Sequence, residues 1–440
     1  MPAKLLIVQN ELKDRRGHYL ETALAVADAA PRCGLTPYIL AHATCPPDLA
    51  PAGVPLLPTC RLDHQMHYPP VPALSLGPFT IPPPAVDPLP PKPSLFQRAV
   101  RRLLPRPSTP PPPDDLDRAG CGHERHFIDE WRKDLAFILT LLQASAADHV
   151  VFLTGHAREL HAVRRVADAL PVELCPTFHL EFRHALDFTE PDRRPLNPFT
   201  ATHLALFDRY RPLGPHPRIR LYTDTAELSE VYAAVSQLAH FTLPIPFRNG
   251  KLPPHRRGDG PLRVTAVGDP QDEKGFHHLL PLIDALADEP VRFVLQAGVS
   301  DPVNNPRSVA AVAELQTRPR PNVELAGLDG PLTADDYFAL VSAADVLVFP
   351  FDPAAYRRRS SGTLTEAIAA GVPTVVPEGT WLASQQPAGS GERFAQPDEL
   401  ADAVRRVVRG YDGYERRAAE ARADWLAVHT PDRFVQALLN

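Results

Sequence analysis

The chain of 440 residues has little cysteine, little methionine and no long apolar run. Its five cysteines (Cys33, Cys45, Cys60, Cys121, Cys175) are odd in number, scattered, and never spaced as Cys-x-x-Cys. That pattern argues against a disulfide framework or a structural zinc site and fits a reducing cytoplasm. No stretch approaches the length of a membrane-crossing helix. The opening run through Val8 is too short for a signal h-region and is followed by no cleavage site. Positive charge is not in excess either: 46 Lys and Arg stand against 52 Asp and Glu, a net charge of −6. A global basic field for nucleic acid is therefore absent. Apolar residues make up 44%, enough for full cores, and the length suits two or three domains.

Proline, by contrast, is abundant. Seventeen of the 53 prolines fall in residues 69–113, including Pro82-Pro83-Pro84 and Pro110 to Pro113. Such a segment neither pairs as a central strand nor continues as a helix, so it reads as an extended insertion. Within it, Phe96 to Leu104 has the pattern of a short basic amphipathic helix. It reads as a solvated helix on the insertion; attachment to an anionic membrane surface is the other reading.

The rest alternates apolar strands with helical periods. Lys4 to Gln9 reads as a buried parallel strand, Gly17 to about Ala30 as a helix, and Leu35 to Ala41 as the next strand. Strands are expected at 150–154, 172–178 and 218–223. Helices are expected at 117–147, 157–169 and 225–238, the last capped by Asp224. Residues 249–260 lack a core pattern and read as a linker. A second series of strands and helices runs from Leu262. The sum is an α/β chain of two Rossmann-like doubly wound parallel-sheet domains facing a cleft. Its expected parts are an N-terminal domain at 1–248, the linker, a C-terminal domain at 261–410, and a C-terminal helix at 411–440 that crosses back.

The most informative run is Ser360 to Val376, which reads as loop, helix, tight turn and strand. Free backbone N–H groups where that helix begins form an anion site. Glu366 lies one turn further in. A second loop, Gly268 to Phe276, ends another parallel strand and places Lys274 near a helix start. Each loop alone also reads as ordinary capping or solvated structure. Together they can enclose a diphosphate from two sides.

These stretches carry a resemblance. The C-terminal half resembles the donor domain of GT-B fold glycosyltransferases of the glycosyltransferase family 4 (glycosyl transferases group 1) type. It does so through Val267-Gly268 to Lys274-Gly275, Val323 to Gly327, Ala343 to Pro350, and Thr365-Glu366-Ala367 to Val376. The resemblance implies a nucleotide-diphosphate sugar donor, retention at the anomeric carbon, and no metal or other cofactor. It implies that Lys274 stabilises the diphosphate, Glu366 holds the ribose, and the N–H groups of Ser361, Gly362 and Thr363 hold phosphate. Two positions depart from the family pattern. Arg358 stands where a glutamate is usual, eight residues before Glu366. Asp269 stands where an arginine is usual, five before Lys274. Arg358 or Arg359 is the candidate to replace that missing charge.

The N-terminal half resembles the acceptor domain less specifically. Gly17 and His18 are candidates for a loop under the phosphate or acceptor. His179 and Glu181 are candidates to orient or deprotonate an acceptor hydroxyl; Gly155-His156 is a further candidate loop. Each also reads as an ordinary polar loop. The expected partners are a nucleotide-sugar donor and a glycan, lipid-linked or small-molecule acceptor, in the cytoplasm or at the inner membrane face. Two other readings keep the fold: a non-catalytic scaffold binding a sugar nucleotide or protein partner, and an epimerase or phosphorylase.

Overall fold

The structure is a computed structural model that describes residues 2–14, 19–51, 53–62, 74–76, 79–81, 122–189, 194–247, 252–330 and 332–440. Gly17, His18 and the helix expected at Phe96 to Leu104 lie outside these residues. The chain divides into two compact units: Met1–Arg15 with Ala30–Thr242, and Arg16–Ala29 with Leu243–Asn440.

The first unit is built on seven strands: β1 (Ala3–Gln9), β2 (Leu35–His42), β3 (Leu56–Cys60), β4 (His149–Phe152), β5 (Thr177–Phe182), β6 (Ile219–Thr223) and β7 (His240–Thr242). All pair in parallel, in the order β7-β6-β5-β4-β1-β2-β3. β1 is apolar along its length because Leu5, Leu6 and Ile7 are fully buried on both faces of the sheet. The first helix, α1 (Tyr19–Ala29), groups with the second unit. Helices α2 (Gly122–Leu141), α3 (Ala157–Ala169), α4 (Pro198–Tyr210) and α5 (Ala226–Ser236) belong to the first. α2 turns Phe127, Trp131, Leu135 and Ile138 inward at helical spacing, against Phe152, Leu160 and Val163. The stretch 74–76 pairs antiparallel with 79–81 as a separate ribbon inside the proline-rich insertion.

A buried charge cluster lies next to that insertion. Arg61, just beyond β3, donates from Nε to Asp134 of α2, and its Nη2 lies 3.3 Å from Glu130 Oε2. The Arg61 backbone N–H also donates to Asp134 Oδ2 at 3.0 Å. A buried guanidinium persists because two carboxylates and this geometry replace its water.

Several boundaries differ from expectation. β5 begins at Thr177 rather than Val172 and continues to Phe182, so His179 and Glu181 are strand residues rather than a loop after it. α5 is capped by Thr225, whose hydroxyl accepts from Leu228 N–H at 3.0 Å, and not by Asp224. Asp224 instead accepts from Arg183 Nε at 3.0 Å.

The second unit holds β8 (Leu262–Ala266), β9 (Val291–Gln296), β10 (Val323–Ala326), β11 (Val346–Val348), β12 (Thr374–Pro377) and β13 (Gly391–Phe394). These are also all parallel, in the order β10-β9-β8-β11-β12-β13. Its later helices are α6 (Leu279–Ala285), α7 (Pro306–Thr317), α8 (Ala334–Ala343), α9 (Gly362–Ala370), α10 (Trp381–Gln385), α11 (Leu400–Arg409), α12 (Tyr411–Val428) and α13 (Pro431–Leu439). Alternation along β11 sends Val346 and Val348 to one core and Leu347 to the other, so helices cover both faces. α13 packs against α1. Ile245 N–H donates to His429 Nδ1 at 3.1 Å, and the His429 ring stacks on Trp425. These contacts tie the entering segment to the C-terminal helices.

Candidate active site

In each sheet the strand order reverses beside the first strand of the series. Such reversal leaves a crevice at the carboxyl ends, where doubly wound sheets bind ligands. In the second unit the reversal lies between β8 and β11. The two loops leaving these strands are the ones singled out by sequence.

The first loop is shaped by two glycines. Gly268 adopts φ +105° and donates its N–H to Gln296 Oε1 at 2.8 Å. A Cβ built there would stand 3.4 Å from Lys274 Nζ and 3.8 Å from Thr363 Oγ1. The ammonium, the hydroxyl and the bare glycine backbone therefore converge at one point. Gly275 adopts φ +65°, and a Cβ on it would fall 1.9 Å from the Pro350 carbonyl oxygen. Only glycine lets the two loops approach this closely. They are further joined by Asp352 N–H, which donates to Glu273 O at 2.8 Å.

Lys274 is half-buried and makes no hydrogen bond or ion pair among the described residues. Burial lowers its pKa from the ordinary value; Asp269 and Glu273 oppose the shift and Arg359 reinforces it. Asp269, where the family's arginine would stand, accepts from Ser300 N–H at 2.9 Å and from Ser300 Oγ. It anchors the loop after β9. Asp272 plays a similar part, accepting from Ser308 N–H at 2.8 Å and Ser308 Oγ at 3.0 Å.

The second loop delivers α9. Ser361 is its N-cap, with Oγ accepting from Leu364 N–H at 3.3 Å, and Gly371 ends it at φ +79°. The N–H groups of Gly362 and Thr363 find no acceptor among the described residues, and Gly362 is exposed with open space around it. They are the anion-binding end of a helix. Arg359 donates from Nη1 to Glu273 Oε1 at 2.8 Å and lies over the Tyr356 ring, 5.1 Å from its centroid. Arg358 beside it is half-buried. Glu366 Oε2 accepts from Tyr337 O–H at 2.6 Å, and the same hydroxyl lies 3.1 Å from Thr363 Oγ1. Burial raises the Glu366 carboxyl to about 7, with the Tyr337 hydrogen bond lowering it and Glu21 of α1 raising it.

The structure thus brings together Gly268, Lys274, Thr363 and Glu366, with Ser361 and Gly362 at the same helix start. Tyr337 and Gln296 belong to the constellation and were absent from the sequence reading. Each is a lone polar residue on another element, without a motif around it.

In the first unit the singled-out residues are treated differently. His179 is fully buried in mid-strand, with Nε2 3.0 Å from His149 Nδ1 and Nδ1 3.2 Å from Tyr222 Oη. Burial, with His149 and Arg220, holds it well below the ordinary histidine range. Glu181 is also buried, and neither carboxylate oxygen has a hydrogen-bond partner among the described residues. Burial raises it to about 8, with Arg183 lowering and Asp224 raising it. His156 is buried at the start of α3 beside the rings of His184 and His203. Among the described residues no group of three or more His, Cys, Asp or Glu is arranged to hold a metal ion, and no helix is long and apolar enough to cross a membrane.

Residues 261–409 match the family model described as glycosyl transferases group 1. No curated protein matches the chain by sequence. Solved structures align along nearly all of it. They include a sucrose-phosphate synthase from Thermosynechococcus elongatus (14% identity, TM-score 0.61, covering 99% of this chain and 96% of that one). The trehalose-6-phosphate synthase OtsA aligns at 10% identity and TM-score 0.63, covering 99% and 98%. HepE from Anabaena, solved in complex with UDP, aligns at 13% identity and TM-score 0.56, covering 99% and 98%. At these identities the likeness establishes the fold, which is GT-B. The match over 261–409 makes that stretch similar to the family of group 1 glycosyl transferases.

Proposed function

We propose that this protein transfers a sugar from a nucleotide-diphosphate donor, bound by the second unit, to an acceptor hydroxyl. The observation that carries the reading is the convergence of Gly268, Lys274 Nζ and Thr363 Oγ1 where the strand order reverses. The leaving diphosphate gains charge as the glycosidic bond breaks. Lys274 and the N–H groups of Gly362 and Thr363 stabilise that charge, which is the main electrostatic work of such a site. Lys274 makes no hydrogen bond or ion pair among the described residues, and its lowered pKa reflects burial of the ammonium.

Glu366 then takes the ribose hydroxyls. Arg359 swings from Glu273 to the diphosphate and supplies the charge that Asp269 does not. In this reading the reaction proceeds with retention and without a metal, the cations and N–H groups taking up the charge of the leaving diphosphate. On the acceptor side Glu181 is the candidate base and His179 the candidate orienting residue. Their burial means that acceptor binding must open a path to them. The reaction is placed in the cytoplasm, in keeping with a sequence whose five cysteines are few and scattered.

Calorimetry with UDP, GDP and ADP tests the donor site. One of them is expected to bind, and Arg359→Ala is expected to weaken it. Unchanged affinity in that variant removes Arg359 from the site, and no binding by any nucleotide removes the reading. Release of sugar from the matching donor separates a transferase from a scaffold that binds without turnover. Turnover that collapses with EDTA would overturn the metal-free reaction.

A further inference from the structure

The hydrogen bond that holds the Glu366 side chain comes from another helix. Tyr337 projects from α8, and its hydroxyl reaches Glu366 Oε2 at 2.6 Å and Thr363 Oγ1 at 3.1 Å. A phenol has one proton to give. The shorter bond, to a carboxylate, takes it. Thr363 therefore turns its own hydroxyl proton toward the Tyr337 oxygen. One side chain is tied at once to the residue assigned to phosphate and to the residue assigned to ribose. No hydrogen bond to Glu366 Oε1 is made among the described residues, which leaves that oxygen for a ligand.

We propose that Tyr337 is a positioning residue of the donor site, holding Glu366 as an oriented carboxylate acceptor and coupling it to the phosphate-binding start of α9. The inference rests on the reading of Glu366 as the ribose ligand.

The surroundings explain why the carboxylate needs such a partner. Burial works against its charge, and Glu21 on α1 adds a second negative charge. Thr363, on its own helix, is neutral. Lys274 lies across the same point from Thr363 and faces Asp269, Glu273 and Arg359 in turn. The charge-favouring contact on Glu366 is the Tyr337 hydroxyl, which burial and Glu366 itself keep protonated well above the ordinary tyrosine range. Without that hydroxyl Glu366 picks up its proton at a higher pH. A protonated carboxyl then meets the ribose at neutral pH and accepts its hydroxyl protons poorly.

The test is the affinity for UDP, GDP and ADP from pH 5.5 to 9, in the full-length protein and in Tyr337→Phe and Glu366→Gln. Wild-type affinity is expected to fall as pH drops through about 7. Tyr337→Phe is expected to move that midpoint up by about one unit, weakening binding about fivefold at pH 7, and to recover at pH 9. Glu366→Gln is expected to bind like the wild type at pH 5.5 and more weakly from about pH 7 upward, with a flat profile. An unmoved midpoint in Tyr337→Phe, with a flat profile in Glu366→Gln, overturns the role of Tyr337 and leaves the ribose reading standing. Wild-type binding by Glu366→Gln from about pH 7 upward, or no nucleotide binding by the wild type, removes the ribose reading and this inference with it. Should Tyr337→Phe fail to fold, 3-fluorotyrosine at position 337 gives the opposite sign. Its stronger donor lowers the midpoint, and an unmoved midpoint again overturns the proposal.

Discussion

The two sheets share one strand order but finish their strands in opposite ways. In the second unit the polar groups at the point of reversal are left available: a half-buried ammonium, two N–H groups at a helix start and an exposed glycine. In the first unit the polar side chains along β5 are sealed. His179 is engaged on both nitrogens by other side chains, and Glu181 is buried with no hydrogen bond to the described residues. Strand order alone therefore does not make a site. What distinguishes the second unit is backbone: a glycine at positive φ opens room beside Lys274, and another admits the neighbouring loop.

The sharpest way to test this contrast is to remove the available cation. Lys274→Ala is expected to lower kcat/KM for sugar transfer by about 10²–10³-fold, as loss of one preorganised donor does. Thermal melting should stay near wild type, because the ammonium makes no ion pair within the described protein. A fall in Tm with little change in rate would place Lys274 on the structural side of the comparison. Next in size is Gly275→Ala. Positive φ costs a residue with Cβ about 1–3 kcal/mol, and here the added atom also strikes the Pro350 carbonyl. Chemical denaturation should register the loss, and donor affinity should fall with it. Wild-type stability would mean that the two loops are not locked together.

The smallest effect concerns the sealed side. Glu181 titrates at about 8 in the folded protein, above the ordinary value. The folded state thus holds a proton that the unfolded chain has already released. Stability therefore falls as pH rises from about 4.3 toward 8. Glu181→Gln should melt higher than wild type at pH 8 and similarly at pH 4. Equal Tm differences at both pH values would show that Glu181 does not carry this proton.

Much of this architecture was legible because parallel strands announce themselves as apolar runs and helices by their period. β1, α3 and the loop-helix-turn of α9 fall where the residues place them. β5 was misplaced because His179 and Glu181 interrupt its apolar pattern on one face, so a buried strand looked like a strand followed by a loop. β3, α4 and β13 are short or irregular in pattern and went unread. In the site, Lys274 and Glu366 are marked by neighbouring glycine and hydroxyl residues. Tyr337 and Gln296 are not, because proximity across separate elements leaves no trace in spacing. The pairing of Arg359 with Glu273 was equally invisible, joining residues 86 positions apart.

The contact between Gly275 and the Pro350 carbonyl, reinforced by Asp352 N–H on Glu273, has a thermodynamic meaning beyond shape. Two loops that are fastened backbone to backbone fluctuate as one body. The conformational entropy that separate loops would surrender on closing round a diphosphate is lost once, during folding. An incoming anion meets a site already ordered, and more of its interaction energy remains to be expressed as affinity.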